Sequence, residues 1–213
     1  MIRHGRQAPV TLALVILNIL CFLWVEMHGS SENTETMVRW GAVYGPLVLR
    51  EHEYWRLLTA AFLHFGIWHI ANNMLILFLL GDNLERALGH GKYLLFYLLC
   101  AVSSNMFSLC VKLEETEYIV SAGASGAIYG VIGGLLWALI RNHGRLEDLS
   151  TRQVAFFVGL SLYYGLSDSG VDNAAHIGGL VIGFALSMLM YRVKKGTARG
   201  ADAELDEQWS DIR

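Results

Sequence analysis

Six long apolar runs constrain the fold of this chain more than any other feature. Crossing a hydrocarbon core about 30 Å thick takes a helix of about 20 predominantly apolar residues, and most of the runs approach that length. They cover residues 8–27, 67–84, 93–111, 123–140, 154–166 and 174–191, of which the fifth is the shortest. Since lipid offers no hydrogen-bond partners to the backbone, such runs fold as helices. The sequence therefore predicts an all-α membrane protein with a six-transmembrane-helix bundle.

The composition agrees with a membrane protein and argues against two kinds of partner. Hydrophobic residues make up 54% of the 213 residues and charged residues only 16%, which is too little charge for the surface of a soluble domain of this size. The net charge of -3 argues against a nucleic-acid-binding surface. Cys21, Cys100 and Cys110 fall inside apolar runs without the ligand spacing of a zinc site, so we expect no metal.

Cationic residues occur in alternate loops and predict the orientation of the bundle. They precede the first run and follow the second, fourth and sixth runs, at Arg3, Arg6, Arg86, Lys92, Arg141, Arg145, Arg152, Arg192, Lys194, Lys195 and Arg199. The opposite loops are acidic or mixed, with Glu114, Glu115, Glu117, Asp168 and Asp172. Because Lys and Arg are enriched in cytoplasmic loops, both termini are predicted to be cytoplasmic.

The two ends and the first long loop have distinct compositions. The first run has a basic start, but it is long for a signal peptide and no small-residue cleavage site follows, so we expect a retained helix. Residues 1–195 are predicted to form the membrane domain and residues 196–213 a disordered polar tail. With no extended soluble domain, we expect a minimal six-helix form. The loop 28–65 is rich in aromatic residues, which predicts an element at the bilayer interface.

Three polar residues, which are energetically unfavourable inside a membrane, are predicted at one depth. His69, Ser125 and His176 lie near the starts of the second, fourth and sixth helices, which all begin at the outer face in this topology. Stripes of small residues at every fourth position predict that the fourth and sixth helices pack together. The stripes are Gly126, Gly130 and Gly134 on one helix and Ala175, Gly179 and Gly183 on the other. This packing would bring Ser125 towards His176.

A serine beside a histidine indicates a hydrolase. The tetrapeptide from Gly123 to Gly126 could by itself serve only helix packing, but a neutral imidazole of His176 could take the Ser125 proton during attack on a carbonyl and return it to the leaving amine. Whether Asp172, four residues before His176, orients the imidazole stays open, and Tyr129 is the better candidate to hold the ring by stacking.

The second helix carries candidate donors to an oxyanion. His69 and Asn73 are one turn apart on one face, and their N–H groups suit a tetrahedral intermediate. An interhelical hydrogen bond is the equal alternative for His69. Asn72 points about 100° away from Asn73 and is predicted to be structural. His64 lies at the loop boundary, where it could serve packing or function.

Together these residues resemble the motifs of the rhomboid family of intramembrane serine proteases, over residues 8–191. The matching pieces are Trp55-Arg56, His64, His69-Ile70-Ala71-Asn72-Asn73, Gly81-Asp82-Asn83-Leu84-Glu85 with Gly89, Gly123-Ala124-Ser125-Gly126 with Tyr129, and Ala174-Ala175-His176-Ile177-Gly178-Gly179 with Gly183. The resemblance implies a Ser125/His176 catalytic dyad and an oxyanion site formed by His69, Asn73 and the Ser125 backbone N–H. It also implies that Tyr129 stacks on His176, that Asn173 or its neighbours border the substrate cleft, and that Arg56 and Glu85 are structural.

The resemblance further implies an activity and a location. Rhomboid proteases cleave transmembrane helices of other proteins near their outer ends without a metal or nucleotide cofactor. The expected partners are therefore transmembrane substrates and the lipid bilayer, with no nucleic acid. The substrate helix must unwind locally, since a helical carbonyl is already hydrogen-bonded. The expected location is the plasma (inner) membrane, with the active site opening to the extracytoplasmic side.

Two other functions are open to a chain of this kind. A rhomboid-like protein that binds membrane clients without cleaving them would have the same fold, but the presence of both Ser125 and His176 argues against it. A small transporter or proton channel would need paired carboxylates or broken helices near the midplane, and no charged residue lies deep in a predicted span. The sequence does not identify the substrate or the oligomeric state.

Overall fold

The computed structural model describes residues 8–112, 120–146, 149–167 and 171–193, and they are mostly helical. In chain order the helices are α1 (Pro9–Met27), α2 (Thr34–Arg39), α3 (Gly45–Leu49), α4 (Arg56–Thr59), α5 (Gly66–Ile76), α6 (Asp82–Leu88), α7 (His90–Val111), α8 (Ser125–Arg141), α9 (Thr151–Ser167) and α10 (Asn173–Met190). Strands β1 (Arg145–Leu146) and β2 (Leu149–Ser150) form a short antiparallel pair between α8 and α9. The predicted tail 196–213 and the loop residues Arg3, Arg6, Glu114, Glu115, Glu117, Asp168, Lys194, Lys195 and Arg199 lie outside the described residues.

Each of the six predicted apolar runs contains a helix. The second run lies in a continuous helical stretch in which α5 passes through a π-helical turn, Leu77–Gly81, into α6. Within the described residues, α1, α7 and α10 are long and apolar enough to cross a membrane. A fourth candidate span consists of Arg56–Phe62 and Gly66–Leu88, which meet at 91°. The predicted helical membrane protein is thus confirmed, while the count of six spans stays a prediction.

The helix α8 lies at the centre of the bundle, and all its residues from Gly126 to Leu135 are buried. The Cβ positions of its stripe of small residues face α7, while the backbone of the same stripe meets α10. A Cβ atom on Gly126 would lie 2.2 Å from Ser104 Oγ, and one on Gly130 would lie 2.5 Å from Cys100 Sγ. The two predicted stripes therefore meet, and the additional contact of the α8 stripe with α7 was not predicted, because the spacing of glycines does not reveal how many neighbours a helix has.

The helices α8 and α10 pack closely, as predicted, because two glycines of α10 lie against the backbone of α8. A Cβ atom on Gly179 would lie 2.1 Å from the Gly126 carbonyl oxygen, and one on Gly183 would lie 2.1 Å from that of Gly130. One turn further, the Ser187 hydroxyl donates to the Gly134 carbonyl at 3.1 Å. The two helices therefore run in parallel with backbone against backbone, and only glycine permits so close an approach.

Glu85 fixes the start of α1 to the rest of the bundle. Its fully buried carboxylate accepts hydrogen bonds from the backbone N–H groups of Val10 (3.0 Å) and Thr11 (2.7 Å) and from the Thr11 hydroxyl (2.7 Å). Nδ1 of His90 lies 2.6 Å from the same carboxylate. Because the first N–H groups of a helix have no partner inside it, the anion caps α1. Its contacts agree with the structural role that the resemblance implied.

Arg56 has the corresponding role in the loop between α1 and α5. The buried guanidinium donates to the carbonyl oxygens of Val38 (2.6 Å) and Ala42 (3.1 Å) and pairs with Glu53 at 2.5 Å. These bonds hold α2, α4 and the turn after α2 in one unit. Tyr54, Trp55 and other apolar side chains of this loop are exposed, as we would expect for an element at the bilayer interface.

Replacing Gly183 should separate α8 and α10. In Gly183→Ala the methyl group would meet the Gly130 backbone, which has no flexible end that can move aside, so we expect a loss of about 1–3 kcal/mol in stability and a lower Tm in detergent. Gly91→Ala is the matched control: it lies in α7 with nothing within 4 Å of its Cβ position, and its Tm should be unchanged or higher. Equal Tm values for both variants would contradict the close backbone contact.

Candidate active site

Ser125 and His176 meet at the same end of α8 and α10. Ser125 is the first residue of α8 and His176 lies in the first turn of α10. The Ser125 hydroxyl oxygen lies 2.8 Å from His176 Nε2, and His176 is buried. The glycine contact between Gly126 and Gly179 adjoins this pair and holds the two helix ends together. The structure thus brings together the two residues that were predicted to form a dyad.

The imidazole ring of His176 stacks on Tyr129, as the resemblance implied. Their ring centroids are 4.2 Å apart and the ring planes differ by 11°. In the described part of the chain, Nδ1 of His176 is buried without a hydrogen-bond partner. The ring is therefore held by stacking and by the position of α10, and no carboxylate of the described residues is hydrogen-bonded to it.

Asp172 binds other groups instead of the imidazole. Its carboxylate caps α10 by accepting from the Ala175 backbone N–H, and it accepts from the hydroxyls of Ser108 and Ser121. Burial alone would raise the pKa of this carboxyl group, but the Ser108 hydrogen bond and the Lys112 ammonium outweigh it and hold the pKa below the usual value. Asp172 makes no hydrogen bond to the His176 ring, whose Nδ1 is without a partner among the described residues.

A cavity of about 570 Å³ opens beside the serine and the histidine. Its lining includes His69, Asn73, Ser125 and His176, which come from three different helices. The Asn73 amide donates to the backbone carbonyl of His69, at 2.9 Å, within its own helix. This bond uses one of the two N–H groups of the Asn73 amide. The four residues that were predicted from sequence to act together therefore face one space.

The chain is similar to known proteins over most of its length. A family model described as "Rhomboid domain" matches residues 51–193. The chain belongs to the rhomboid family. It is 37% identical to Rhomboid protease GluP of Bacillus subtilis (strain 168) over 187 residues, which cover 87% of this chain and 36% of that protein. It is 32% identical to Rhomboid protease AarA of Providencia stuartii over 202 residues, covering 84% and 71%, and 32% identical to RHOMBOID-like protein 1 of Arabidopsis thaliana over 158 residues, covering 72% and 39%.

The family resemblance seen in the motifs is thus confirmed. The chain spans well under two thirds of the length of GluP and of the plant relative. Among the described residues of this rhomboid chain, no group of three or more His, Cys, Asp or Glu side chains could hold a metal ion.

Gly123 allows His69 to lie beside the serine of this rhomboid chain. A Cβ atom on Gly123 would lie 2.9 Å from His69 Nε2 and 3.6 Å from Ser125 Oγ, and its φ of +143° is one that side chains rarely permit. Its backbone N–H donates to the Ala60 carbonyl at 2.9 Å, which fixes the segment before α8. Gly126 has a different role, since its missing side chain admits Ser104 of α7.

His64 contacts the segment before Ser125 and is hydrogen-bonded to its backbone. It is 1% exposed, its Nε2 accepts from the Ala124 backbone N–H at 3.3 Å, and its ring contacts that of His69 edge to face at 5.1 Å. His64 does not line the cavity in the described residues. His64 could serve packing or function by its sequence position, and these contacts favour packing.

Three other asparagines lie in or next to the cavity. Asn173 is the exposed first residue of α10 and is absent from the described lining, although its neighbours Val171 and Asp172 belong to it. Asn72, which we predicted to be structural, does line the cavity, because the space is wide enough to reach more than one face of α5.

Asn105 of α7 also lines the cavity, and its amide donates to the Leu57 carbonyl at 2.8 Å. A polar residue inside an apolar run was the signal that could have found Asn105.

Replacing Gly123 should disturb both the backbone and His69. Gly123→Ala combines an unfavourable φ with a methyl group in contact with the His69 ring. Gly144→Ala is the matched control, since Gly144 also has a positive φ, of +89°, but its nearest neighbour would be at 3.4 Å. We expect backbone strain of about 1–3 kcal/mol in both and a lower Tm for Gly123→Ala than for Gly144→Ala. The same Tm for the two variants would show that His69 moves aside without cost.

Proposed function

We propose that this chain is an intramembrane serine endopeptidase that hydrolyses peptide bonds in or near the outer ends of transmembrane helices of other proteins. The observation that carries the proposal is the 2.8 Å contact between the Ser125 hydroxyl and His176 Nε2 beside a polar-lined cavity. The relatives named Rhomboid protease GluP and Rhomboid protease AarA support the same activity.

The dyad can carry out acyl transfer in two stages. The Ser125 oxygen attacks the substrate carbonyl carbon while His176 Nε2 takes the hydroxyl proton. The tetrahedral intermediate collapses, the peptide C–N bond breaks, and the protonated imidazole gives its proton to the leaving amine. A water molecule then attacks the acyl-enzyme ester, with His176 again accepting a proton and returning it to Ser125.

The oxyanion of the tetrahedral intermediate would lie at the N-terminus of α8. The first N–H groups of a helix have no partner within it and favour negative charge, and α8 has no side chain bonded as an N-cap. The Ser125 backbone N–H is therefore our first candidate donor. His69 and the Asn73 amide, which line the same cavity, are the other two.

The proposed substrates and topology follow from the same site. A transmembrane helix must unwind locally before its carbonyl carbon can reach Ser125. We propose six spans with both termini in the cytoplasm, a membrane domain of residues 1–195 followed by a polar tail 196–213, and a site opening to the extracytoplasmic side of the plasma membrane. The six helices in the predicted runs and the cationic loops support this topology.

A non-proteolytic client-binding protein is the alternative within the family. Such a protein would need the cavity but not a hydroxyl in hydrogen-bond contact with an imidazole. The stacking of Tyr129 on His176, at 4.2 Å, holds the imidazole in place beside Ser125, which favours the protease.

Removing the Ser125 hydroxyl should abolish cleavage. We expect Ser125→Ala to leave Tm near that of the wild type and to stop cleavage of a transmembrane model substrate in liposomes, because no other group replaces the nucleophile. Ser104→Ala is the control: Ser104 adjoins Gly126, and its hydroxyl donates to the Ala101 carbonyl of its own helix. It should retain activity and labelling by a serine-reactive fluorophosphonate. Undiminished cleavage by Ser125→Ala would exclude the protease.

Removing the Asn73 amide should slow the chemical step. Loss of one oxyanion donor costs about 10²-fold or more in kcat, so we expect Asn73→Ala to lower kcat by roughly that factor and to change KM little. Asn83→Ala is matched to it, since the Asn83 amide makes the same bond to the carbonyl four residues earlier, at 3.0 Å to Leu79, but does not line the cavity. An unchanged kcat in Asn73→Ala would rule out this donor.

A further inference from the structure

Asp172 receives hydrogen bonds from the segments that surround the candidate dyad. Its carboxylate accepts from the Ser108 hydroxyl of α7 at 2.8 and 2.7 Å and from the Ser121 hydroxyl, before α8, at 2.8 Å. The ammonium of Lys112, just after α7, lies 2.9 Å away. The Ala175 backbone N–H of α10 donates to the same carboxylate at 3.1 Å. One side chain thus joins α7, the segment before α8 and the start of α10.

Two of these contacts lead directly to the reacting pair. Ser121 is four residues before Ser125, and its backbone is held by two 2.9 Å hydrogen bonds with Val43. Asp172 is four residues before His176, and its carbonyl accepts from the His176 backbone N–H at 3.2 Å. Besides the contact of Ser125 with His176, the carboxylate is therefore a second polar link between the segment that precedes the serine and the helix turn that carries the histidine.

The environment of Asp172 makes this link strong. Its side chain is 12% exposed, and hydrogen bonds to a charged acceptor strengthen when water is largely excluded. An ionised carboxylate has only acceptor sites, about four in all, which matches the hydroxyl, ammonium and backbone donors around it. Capping α10 requires only the bond from the Ala175 backbone N–H. The other bonds to the carboxylate therefore have a different role.

We propose that Asp172 is a positioning residue that sets the distance between Ser125 and His176 by bridging Ser121, Ser108 and Lys112 to the first turn of α10. The inference rests on the proposed function. No carboxylate holds Nδ1 of His176 in the described part of the chain, so the position of the imidazole depends on the position of α10. A shift of that helix turn relative to Ser121 would move the imidazole away from the serine hydroxyl.

A series of substitutions at Asp172 separates capping from bridging. Serine is as good a helix cap as aspartate, but its single hydroxyl cannot accept all the surrounding donors. Since a displacement of about 1 Å can cost 10²-fold in rate, we expect Asp172→Ser to lower kcat and the rate of fluorophosphonate labelling by about 10- to 100-fold. KM should change less. Asp172→Asn, which keeps the shape and one oxygen acceptor, should recover part of the rate.

The control breaks a link between the same two helices at their other end. The Asn142 amide, at the end of α8, donates to the Tyr191 hydroxyl, at the end of α10, at 2.6 Å. We expect Asn142→Ala to lower Tm but to keep the labelling rate of the folded protein. If the rates of all variants follow their Tm values, Asp172 only stabilises the fold and the inference is wrong. Wild-type rates in Asp172→Ser would also overturn it.

Hydrogen exchange tests the bridge without relying on activity. The backbone N–H groups of Ser121 and Gly123 donate to Val43 and Ala60, and we expect both to exchange faster in Asp172→Ser than in the wild type or Asn142→Ala. Unchanged exchange would contradict the bridge. A wild-type protein that neither cleaves a substrate nor reacts with the fluorophosphonate would overturn the proposed function, and the exchange result would still decide whether Asp172 holds this segment.

Discussion

The backbone contact between α8 and α10 is the constraint on which the rest of the site depends. Lipid provides no hydrophobic driving force between helices, so their association depends on close packing and hydrogen bonds. Gly179 and Gly183 place the α10 backbone against the carbonyl oxygens of Gly126 and Gly130. Because the helices are parallel and Ser125 and His176 lie at the same end, this packing also brings the hydroxyl and the imidazole together. The helix α7 supports α8 from its other side.

The buried polar residues fall into two groups according to how fully they are bonded. Glu85, Arg56 and Asp172 each have several partners, as a charge removed from water requires. They join segments that apolar packing alone would hold weakly. Around the cavity, Nδ1 of His176 is without a partner among the described residues, and the Asn73 amide donates to the backbone of its own helix. Buried polar atoms without a partner in the described part of the chain also occur away from the cavity, at Asn18 and Tyr97, so a missing partner alone does not mark the site.

Sequence reasoning predicted the helical elements and the pairing of Ser125 with His176, because the apolar runs and the four-residue spacing are properties of single helices. It failed where the answer depended on how helices are arranged around one another. The stripe beginning at Gly126 meets α7 as well as α10, and periodicity did not reveal this second neighbour. Asn72 lines the cavity although it is on a different face from Asn73. The contacts of Asp172 with Ser108 and Ser121 join residues 64 and 51 positions apart, which no local pattern reveals.

The arrangement explains how the imidazole of His176 can be held when no carboxylate among the described residues is hydrogen-bonded to it. In a triad, a carboxylate orients the imidazole through Nδ1. Here the face of the ring lies against Tyr129, and its Nε2 is in contact with the serine hydroxyl. Stacking restrains the tilt of the ring but not its distance from Ser125, which is determined by the relative positions of α8 and α10. The acidic residue nearest in sequence, Asp172, is hydrogen-bonded to the first turn of α10 and makes no hydrogen bond to the ring. The precision that a triad obtains from one hydrogen bond therefore depends in this chain on the packing of two helices.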